Sequence, residues 1–142
     1  MRSKGFTLIE LMIVIAILAI LYSIAAANVM GLQNEAKVSR ATADLKTLQL
    51  AVNSYISKNN SCPKKEDYQI VLSHELPNIM ISHLTDPFGP TVNTLYSYDT
   101  SLNKQNYVAY SIGLKRDGKA LIGNDGRAMV SGSAITVTNG YF

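Results

Sequence analysis

The feature that most constrains this 142-residue chain is an apolar run that begins at its sixth residue. From Phe6 to Ala27 the only charged residue is Glu10, and the next charge is Glu35. A stretch of this length is sufficient to cross a bilayer as one helix. The N-terminal segment is therefore typical of a membrane span.

Positive charge precedes this run, at Arg2 and Lys4. Because basic residues stay on the cytoplasmic side, we expect the chain to insert with its N-terminus in the cytoplasm. These two residues also contribute to the formal net charge of +3, so removal of the first five residues lowers that charge by two. The remaining chain is nearly neutral and has no dense basic block of the kind that binds nucleic acid.

Two simpler interpretations of the run compete. A secretory signal would use the small residues Ala25 to Ala27 for cleavage, but a carboxylate in its apolar part is unfavourable and the helical pattern continues beyond them. A plain membrane anchor is energetically acceptable, since twelve Leu, Ile, Val or Phe side chains contribute about −4 to −7 kcal/mol and one carboxylate costs about 3 kcal/mol. Insertion thus tolerates Glu10 without explaining it, and a partner for the carboxylate is expected.

Residues 4–10, Lys-Gly-Phe-Thr-Leu-Ile-Glu, resemble the processing motif of type IV prepilins and type II secretion pseudopilins. The resemblance implies that residues 1–5 are a leader, which a prepilin peptidase removes by cutting between Gly5 and Phe6. The new N-terminus of Phe6 would then be methylated. Glu10 would neutralise the amine of Phe6 on a neighbouring subunit as that subunit joins a filament.

The same resemblance implies the partners and the location of the chain. Its partners would be further copies of itself in a helical filament, the prepilin peptidase, an inner-membrane assembly platform, minor pilins, and membrane lipid before assembly. The subunit would wait as a single-pass protein of the inner membrane with a cytoplasmic N-terminus. After assembly it would belong to a periplasmic or extracellular filament.

The helical pattern continues past the apolar run and becomes two-sided. Residues 6–27 are predicted to be the transmembrane or filament-core part of the helix, and residues 28–58 its amphipathic continuation. The whole helix would be on the order of 80 Å long. Arg40 and Asp44 lie one turn apart and are expected to pair. The apolar face recurs at spacings of three and four, at Ala41, Leu45, Leu48, Val52 and Tyr55.

The helix departs from the family pattern at two positions. Many members carry a glycine nine residues after the glutamate and a proline seventeen after it, where the helix loosens in assembled filaments; this chain has Ala19 and Ala27. Gly31 costs about 1 kcal/mol of helix propensity and offers another weak point.

Residues 59–142 are predicted to form a loop and β-sheet body, because turn dipeptides separate short alternating segments. The chain is therefore expected to be α+β, a long helix packed on a small antiparallel sheet of three or four strands, with a C-terminal loop region. The predicted strands are Tyr96 to Tyr98, Tyr107 to Ile112, Lys119 to Ile122 and Ala134 to Val137.

The order of motifs in the body, from Asp86-Pro-Phe-Gly89 to the turns at 117–118 and 124–126, resembles the major pseudopilin of type II secretion. No cofactor is required, but the resemblance implies calcium as an optional one, with Asp117 and Asn124 or Asp125 as ligands. Hard oxygen ligands suit this ion. The positive charge of the neighbouring Lys115 and Arg116 disfavours calcium binding. In addition, Asp-Gly pairs occur primarily as turn formers.

Patterns for catalysis are missing from the sequence. Cys62 is the only cysteine and is interpreted as a small half-buried residue; His74 and His83 have no ligand partners at metal-binding spacing and are interpreted as surface or core residues. We therefore expect no enzyme and no catalytic residues. The function that fits is a structural filament subunit most like the major pseudopilin. The alternatives are a surface type IV pilin for adhesion, motility or DNA uptake, and a membrane-anchored binding module that does not polymerise.

Overall fold

A computed structural model describes residues 5–74, 79–80 and 82–142. Residues 1–4 of the predicted leader, which is residues 1–5, lie outside this range. The chain divides into two units, the first ending at Ala36 and the second spanning Lys37–Phe142. The elements in chain order are α1 Leu8–Asn59, α2 Tyr68–His74, β1 Ser97–Thr100, β2 Tyr107–Ser111, β3 Lys119–Ile122, β4 Ala128–Ser131 and β5 Ile135–Thr138.

Helix α1 confirms the predicted long helix, including its course through Gly31. It ends because Asn60 adopts a positive φ of 54°, a left-handed conformation that asparagine tolerates and that terminates helices. The Asn60 amide still donates to the Ile56 carbonyl at 2.8 Å, which closes the last turn. The helix thus ends one residue beyond the predicted Lys58.

In the second unit, the predicted apolar face of α1 forms the core. Ala41, Leu45, Leu48 and Val52 are fully buried, and Tyr55 is partly buried against them. At the edge of this face, Arg40 Nε lies 3.5 Å from Asp44 Oδ2, so the predicted pair is present. The 3.6-residue period therefore places the core correctly.

Strand β2 is the centre of the body because both of its faces are buried. It pairs antiparallel with β1 and with β5, giving the sheet order β1-β2-β5. Its Tyr107 and Ala109 side chains join the core beneath α1, while Val108 packs on the other face against the β3–β4 hairpin. The body is thus three layers: helix, three-stranded sheet and hairpin.

The β-strand prediction needs two corrections. Within the described residues the predicted antiparallel sheet is present with three strands, but the predicted strand at Lys119–Ile122 pairs with β4 in a second, two-stranded sheet. Strand β4 was not predicted, because only Met129 and Val130 are large and apolar in it and both are exposed. Its pairing is set by the turn before it, where Gly126 has a φ of 86° that favours glycine.

Helix α2 was also not predicted; the region after Pro63 was interpreted as strand and loop. Tyr68 and Leu72 lie one turn apart and are both buried, which holds this short helix against the core. The Val71 amide donates to the Asp67 carbonyl at 3.0 Å and so begins its first turn. Tertiary packing thus overrides the β-branched character of Ile70 and Val71.

A stack of tyrosine rings lies in the same core. The ring centroids of Tyr68 and Tyr98 are 4.5 Å apart, and those of Tyr98 and Tyr107 are 5.9 Å apart. Cys62 lies beside the stack. It is buried, whereas the sequence predicts a half-buried residue. Burial raises the pKa of its thiol to about 11, so the sulfur stays protonated and unreactive.

Candidate assembly and processing site at the N-terminus

The predicted cleavage point lies just before α1. Gly5, Phe6 and Thr7 have no regular secondary structure, and the Phe6 side chain is 72% exposed. A peptidase needs an accessible backbone that is not held in helical hydrogen bonds. The peptide bond between Gly5 and Phe6 meets both conditions within the part of the chain that the structure describes.

Thr7 and Glu10 form a capping box at the start of α1. The Thr7 amide donates to Glu10 Oε2 at 2.9 Å, and the Thr7 hydroxyl donates to the same oxygen at 2.8 Å. In return, the Glu10 amide donates to Thr7 Oγ1 at 3.3 Å. The box satisfies two backbone donors that the helix itself leaves without partners.

The sequence interpretation gave Glu10 an intermolecular partner and overlooked Thr7. The signal was available, since threonine followed three residues later by glutamate before an apolar run is the sequence pattern of a capping box. The same box explains why α1 begins at Leu8 instead of Phe6. Glu10 therefore has a local structural function in addition to the one predicted.

The apolar helix surface, defined as the large apolar side chains of residues 8–32, is exposed on every side of α1. By length and composition this part of the helix is able to cross a membrane. A helix that is apolar all round requires lipid or protein about it. Its members are Leu8, Ile9, Leu11, Met12, Ile13, Val14, Ile15, Ile17, Leu18, Ile20, Leu21, Tyr22, Ile24, Val29, Met30 and Leu32.

The three predicted calcium ligands each hold part of the protein's own backbone. Oδ1 of Asp117 accepts from the amide and hydroxyl of Ser133, at 2.8 and 2.7 Å. Oδ1 of Asn124 accepts from the Leu102 amide at 2.7 Å, and Oδ1 of Asp125 from the Arg127 amide at 3.0 Å. The bonds from Ser133 hold the pKa of Asp117 below its usual value.

These three side chains thus serve three separate loop contacts. In residues 5–74, 79–80 and 82–142, no three His, Cys, Asp or Glu side chains gather as a metal-ligand group. His74 and His83 are both exposed. Calcium at Asp117, Asn124 and Asp125 therefore stays a prediction based on the resemblance.

The Asp86-Pro-Phe-Gly89 motif has a structural use that the sequence did not reveal. Asp86 is buried, and its Oδ1 accepts from the Ser111 hydroxyl at 2.7 Å and the Phe88 amide at 2.9 Å. Its Oδ2 accepts from the Ile112 amide at 2.9 Å. One carboxylate thus joins the 86–89 turn to the end of β2.

Comparison with known proteins finds one family match and several similar proteins. Residues 1–26 match the family described as the prokaryotic N-terminal methylation motif. Over 65 residues the chain is 40% identical to type II secretion system core protein G of Pectobacterium carotovorum subsp. carotovorum, covering 46% of this chain and 42% of that protein. The corresponding protein of Aeromonas hydrophila is 42% identical over 65 residues, 46% of each chain.

A type IV pilin is also similar. The type IV major pilin protein PilA of Myxococcus xanthus is 48% identical over 59 residues, which are 42% of this chain and 27% of that protein. The chain therefore spans less than half the length of the curated relatives it matches. No solved structure matches it significantly.

Proposed function

We propose that the chain is the structural subunit of a filament, on the basis of the methylation motif in residues 1–26 and of its similarity to type II secretion core protein G and to a type IV pilin. The subunit is cut between Gly5 and Phe6, methylated at Phe6, and polymerised through α1. Its use is most like that of the major pseudopilin of type II secretion. The family it resembles is one of structural subunits, and we propose no catalytic activity.

One observation carries the proposal: the apolar helix surface is exposed in the isolated subunit, whereas the second unit buries its own core. Such a surface is stable in lipid before assembly. Within a filament, the same side chains pack against α1 of other copies. Because lipid is as apolar as these side chains, the gain on leaving the membrane comes from close packing and from polar pairs, not from escape from water.

Glu10 supplies the polar pair. It is the only charged residue between Phe6 and Gln33, and the capping box gives its carboxylate only neutral donors. A carboxylate in an apolar interior is costly unless an opposite charge compensates it. The amine of Phe6, which cleavage creates on each subunit, has the required charge, so a pair between neighbouring copies fixes their relative position.

This function requires partners. We propose the prepilin peptidase for cleavage and methylation, an inner-membrane assembly platform that extracts the subunit, and minor pilins that join the same filament. Membrane lipid surrounds α1 before extraction, with the N-terminus on the cytoplasmic side. The assembled filament is periplasmic or extracellular.

A surface type IV pilin is the second candidate, favoured by the similarity to the Myxococcus xanthus pilin. A surface pilus serves adhesion, motility or DNA uptake and extends far from the cell, whereas a pseudopilus at native expression remains short. Electron microscopy of sheared cell surfaces at native expression separates the two. Long fibres made of this chain indicate a surface pilus, and their absence together with a secretion defect in the deletion strain indicates a pseudopilus.

Mass spectrometry of the chain purified from its own membrane tests the proposed processing. We expect an N-terminal peptide that begins at Phe6 and carries one additional methyl group. A chain that still begins at Met1 contradicts the proposal, as does an exported chain that begins near Asn28, which indicates a secretory signal.

Calcium is a separate proposal for the loops that hold Asp117, Asn124 and Asp125. It is supported by their oxygen donors and by the resemblance, and is opposed by the nearby Lys115 and Arg116. A thermal melt with chelator and then with added calcium tests it. We expect added calcium to raise the melting temperature of the wild type but not that of Asp117→Asn. A wild-type melting temperature that changes with neither chelator nor calcium contradicts calcium binding.

A further inference from the structure

The two oxygens of the Glu10 carboxylate are in different situations. Oε2 accepts two hydrogen bonds from Thr7. Within the described residues, Oε1 has no hydrogen-bond partner, and Glu10 forms no ion pair there. Since each carboxylate oxygen can accept about two bonds, the capping box uses one oxygen and leaves the other open.

We infer that Thr7 is a positioning residue for assembly: by holding Oε2, it presents Oε1 of Glu10 to the amine of the incoming subunit. This inference rests on the proposed filament function. A free glutamate side chain has three rotatable bonds and loses rotamer freedom when it pairs. Thr7 fixes the carboxylate before docking, so less freedom is lost at the moment of assembly.

The position of the capping box relative to the cleavage point supports this function. Cleavage between Gly5 and Phe6 removes nothing from the box, because all of its donors and acceptors belong to Thr7 and Glu10. Phe6 is joined directly to Thr7, whose backbone the box holds. One helical turn therefore holds the carboxylate and lies next to the amine of the same subunit, so each subunit offers both halves of the pair from a fixed base.

The chemistry of Thr7 also fits the apolar surroundings. Its amide precedes the first helical residue, so no carbonyl within α1 is available to it. In lipid there is no water to satisfy such a donor. Glu10 Oε2 accepts from it, and the threonine hydroxyl in return accepts from the Glu10 amide.

Four variants test the inference in cells that make the complete assembly machinery, with the filament fraction of the subunit as the readout. Thr7→Val keeps the shape of the side chain and removes its hydroxyl, whereas Thr7→Ser keeps the hydroxyl. Glu10→Gln keeps acceptors for the box but removes the charge, and Glu10→Ala removes both. Detection of methylated Phe6 in each variant confines the comparison to steps after processing.

We expect Thr7→Val to lower the filament fraction about fivefold, the factor that a typical N-cap loss corresponds to, and Thr7→Ser to assemble like the wild type. Glu10→Gln is expected to leave only residual assembly, and Glu10→Ala to abolish it. If Thr7 acts through Glu10, adding Thr7→Val to Glu10→Gln lowers the residual assembly no further.

The results separate the two proposals. Wild-type assembly of Thr7→Val while Glu10→Ala fails overturns the inference and leaves the filament function intact. An additive double variant also overturns the inference. Wild-type assembly of Glu10→Ala contradicts the proposed docking through Glu10 itself.

A second measurement decides the matter if the peptidase cuts Thr7→Val poorly. Amide hydrogen exchange of the full chain in detergent micelles reports the Thr7 amide directly. We expect this amide to be protected from exchange in the wild type and in Glu10→Gln. In Glu10→Ala it should exchange at least about tenfold faster, because this factor corresponds to the loss of one hydrogen bond worth about 1.4 kcal/mol. Equal exchange in the wild type and Glu10→Ala overturns the inference.

Discussion

The hydroxyl of Tyr96 donates a hydrogen bond to Asp44 Oδ2 at 3.0 Å and so joins α1 to the residue that precedes β1. The same oxygen of Asp44 lies 3.5 Å from Arg40 Nε. Burial first, and then the charge of Asp44, raise the pKa of Tyr96 far above its usual value. The hydroxyl therefore stays a donor throughout the physiological pH range.

Removal of this hydroxyl should destabilise the second unit. We expect Tyr96→Phe to lower the free energy of unfolding by about 1 to 2 kcal/mol, because a hydrogen bond to a charged acceptor is lost while the ring still fills the core. Chemical denaturation of the full chain in detergent measures the change. Tyr141→Phe, at a ring that is 55% exposed, is the control and should change little; equal effects of both variants would contradict the contact.

Two leucines on α1 test the placement of the core. Leu45→Ala should cost about 3 to 5 kcal/mol, since Leu45 is fully buried and its loss leaves a cavity. Leu50→Ala should cost under about 0.5 kcal/mol, because Leu50 is 61% exposed on the same helix. Denaturant midpoints of the two variants measure the difference, and the core assignment is wrong if Leu50→Ala is the more destabilising.

Asp86→Asn should be among the more damaging polar substitutions. An asparagine presents an NH2 group where one carboxylate oxygen now accepts, so at least one of the Phe88, Ser111 and Ile112 donors loses its partner in a buried place. We expect a loss of about 2 to 3 kcal/mol. Thermal unfolding measures it, with the exposed Asp125→Asn as control. A melting temperature within a degree of the wild type would show that the donors do not depend on the charge.

The pH dependence of stability should contain a contribution from Asp117. Its pKa is lower in the folded chain than in the unfolded chain, first because of the Ser133 hydroxyl and then because of the Ser133 amide. A lowered folded pKa means that the unfolded state binds the proton more readily. The stabilisation is therefore complete above the unfolded pKa and is lost as the pH falls through the folded one.

Melting temperatures between about pH 6 and pH 2 measure this contribution. We expect the fall on acidification to be shallower in Asp117→Asn than in the wild type, and Ser133→Ala to have the same flattening effect. Parallel curves for the wild type and both variants would indicate that this contact does not persist in solution.

Periodicity allowed the sequence to predict the helix and its core face. Helical spacing places Ala41, Leu45, Leu48 and Val52 on one side of α1, and this side faces the body. Leu50 and Leu45 are equally apolar, yet only their angular positions on α1 decide which one is buried. That information is local, so it could be predicted.

Other parts of the fold depend on contacts that no local pattern contains. Strand β4 exists because its register with β3 sets Met129 opposite Leu121, although both side chains are exposed. Helix α2 depends on burial of Tyr68 and Leu72 against residues far along the chain. The division into two sheets accompanies the packing of the β3–β4 hairpin on Val108. The positions of the strands along the sequence do not specify this packing.

The candidate site was predicted in part. Gly5, Phe6 and Glu10 were identified from the motif, and the structure places them at an exposed segment and at the first turn of α1. The prepilin motif does not single out Thr7, whose function depends on the capping pattern that it forms with Glu10. The partner predicted for Glu10, an amine on another copy, stays a prediction because it belongs to an assembly.

An image reconstruction of filaments from wild-type cells, at a resolution that shows side chains, tests the central claim most directly. The account predicts that every subunit begins at Phe6, that α1 forms the filament interior, and that the Phe6 amine of one subunit lies within hydrogen-bond distance of Oε1 of Glu10 in a neighbour. A filament whose α1 helices do not contact one another, or in which Glu10 faces solvent, would contradict it.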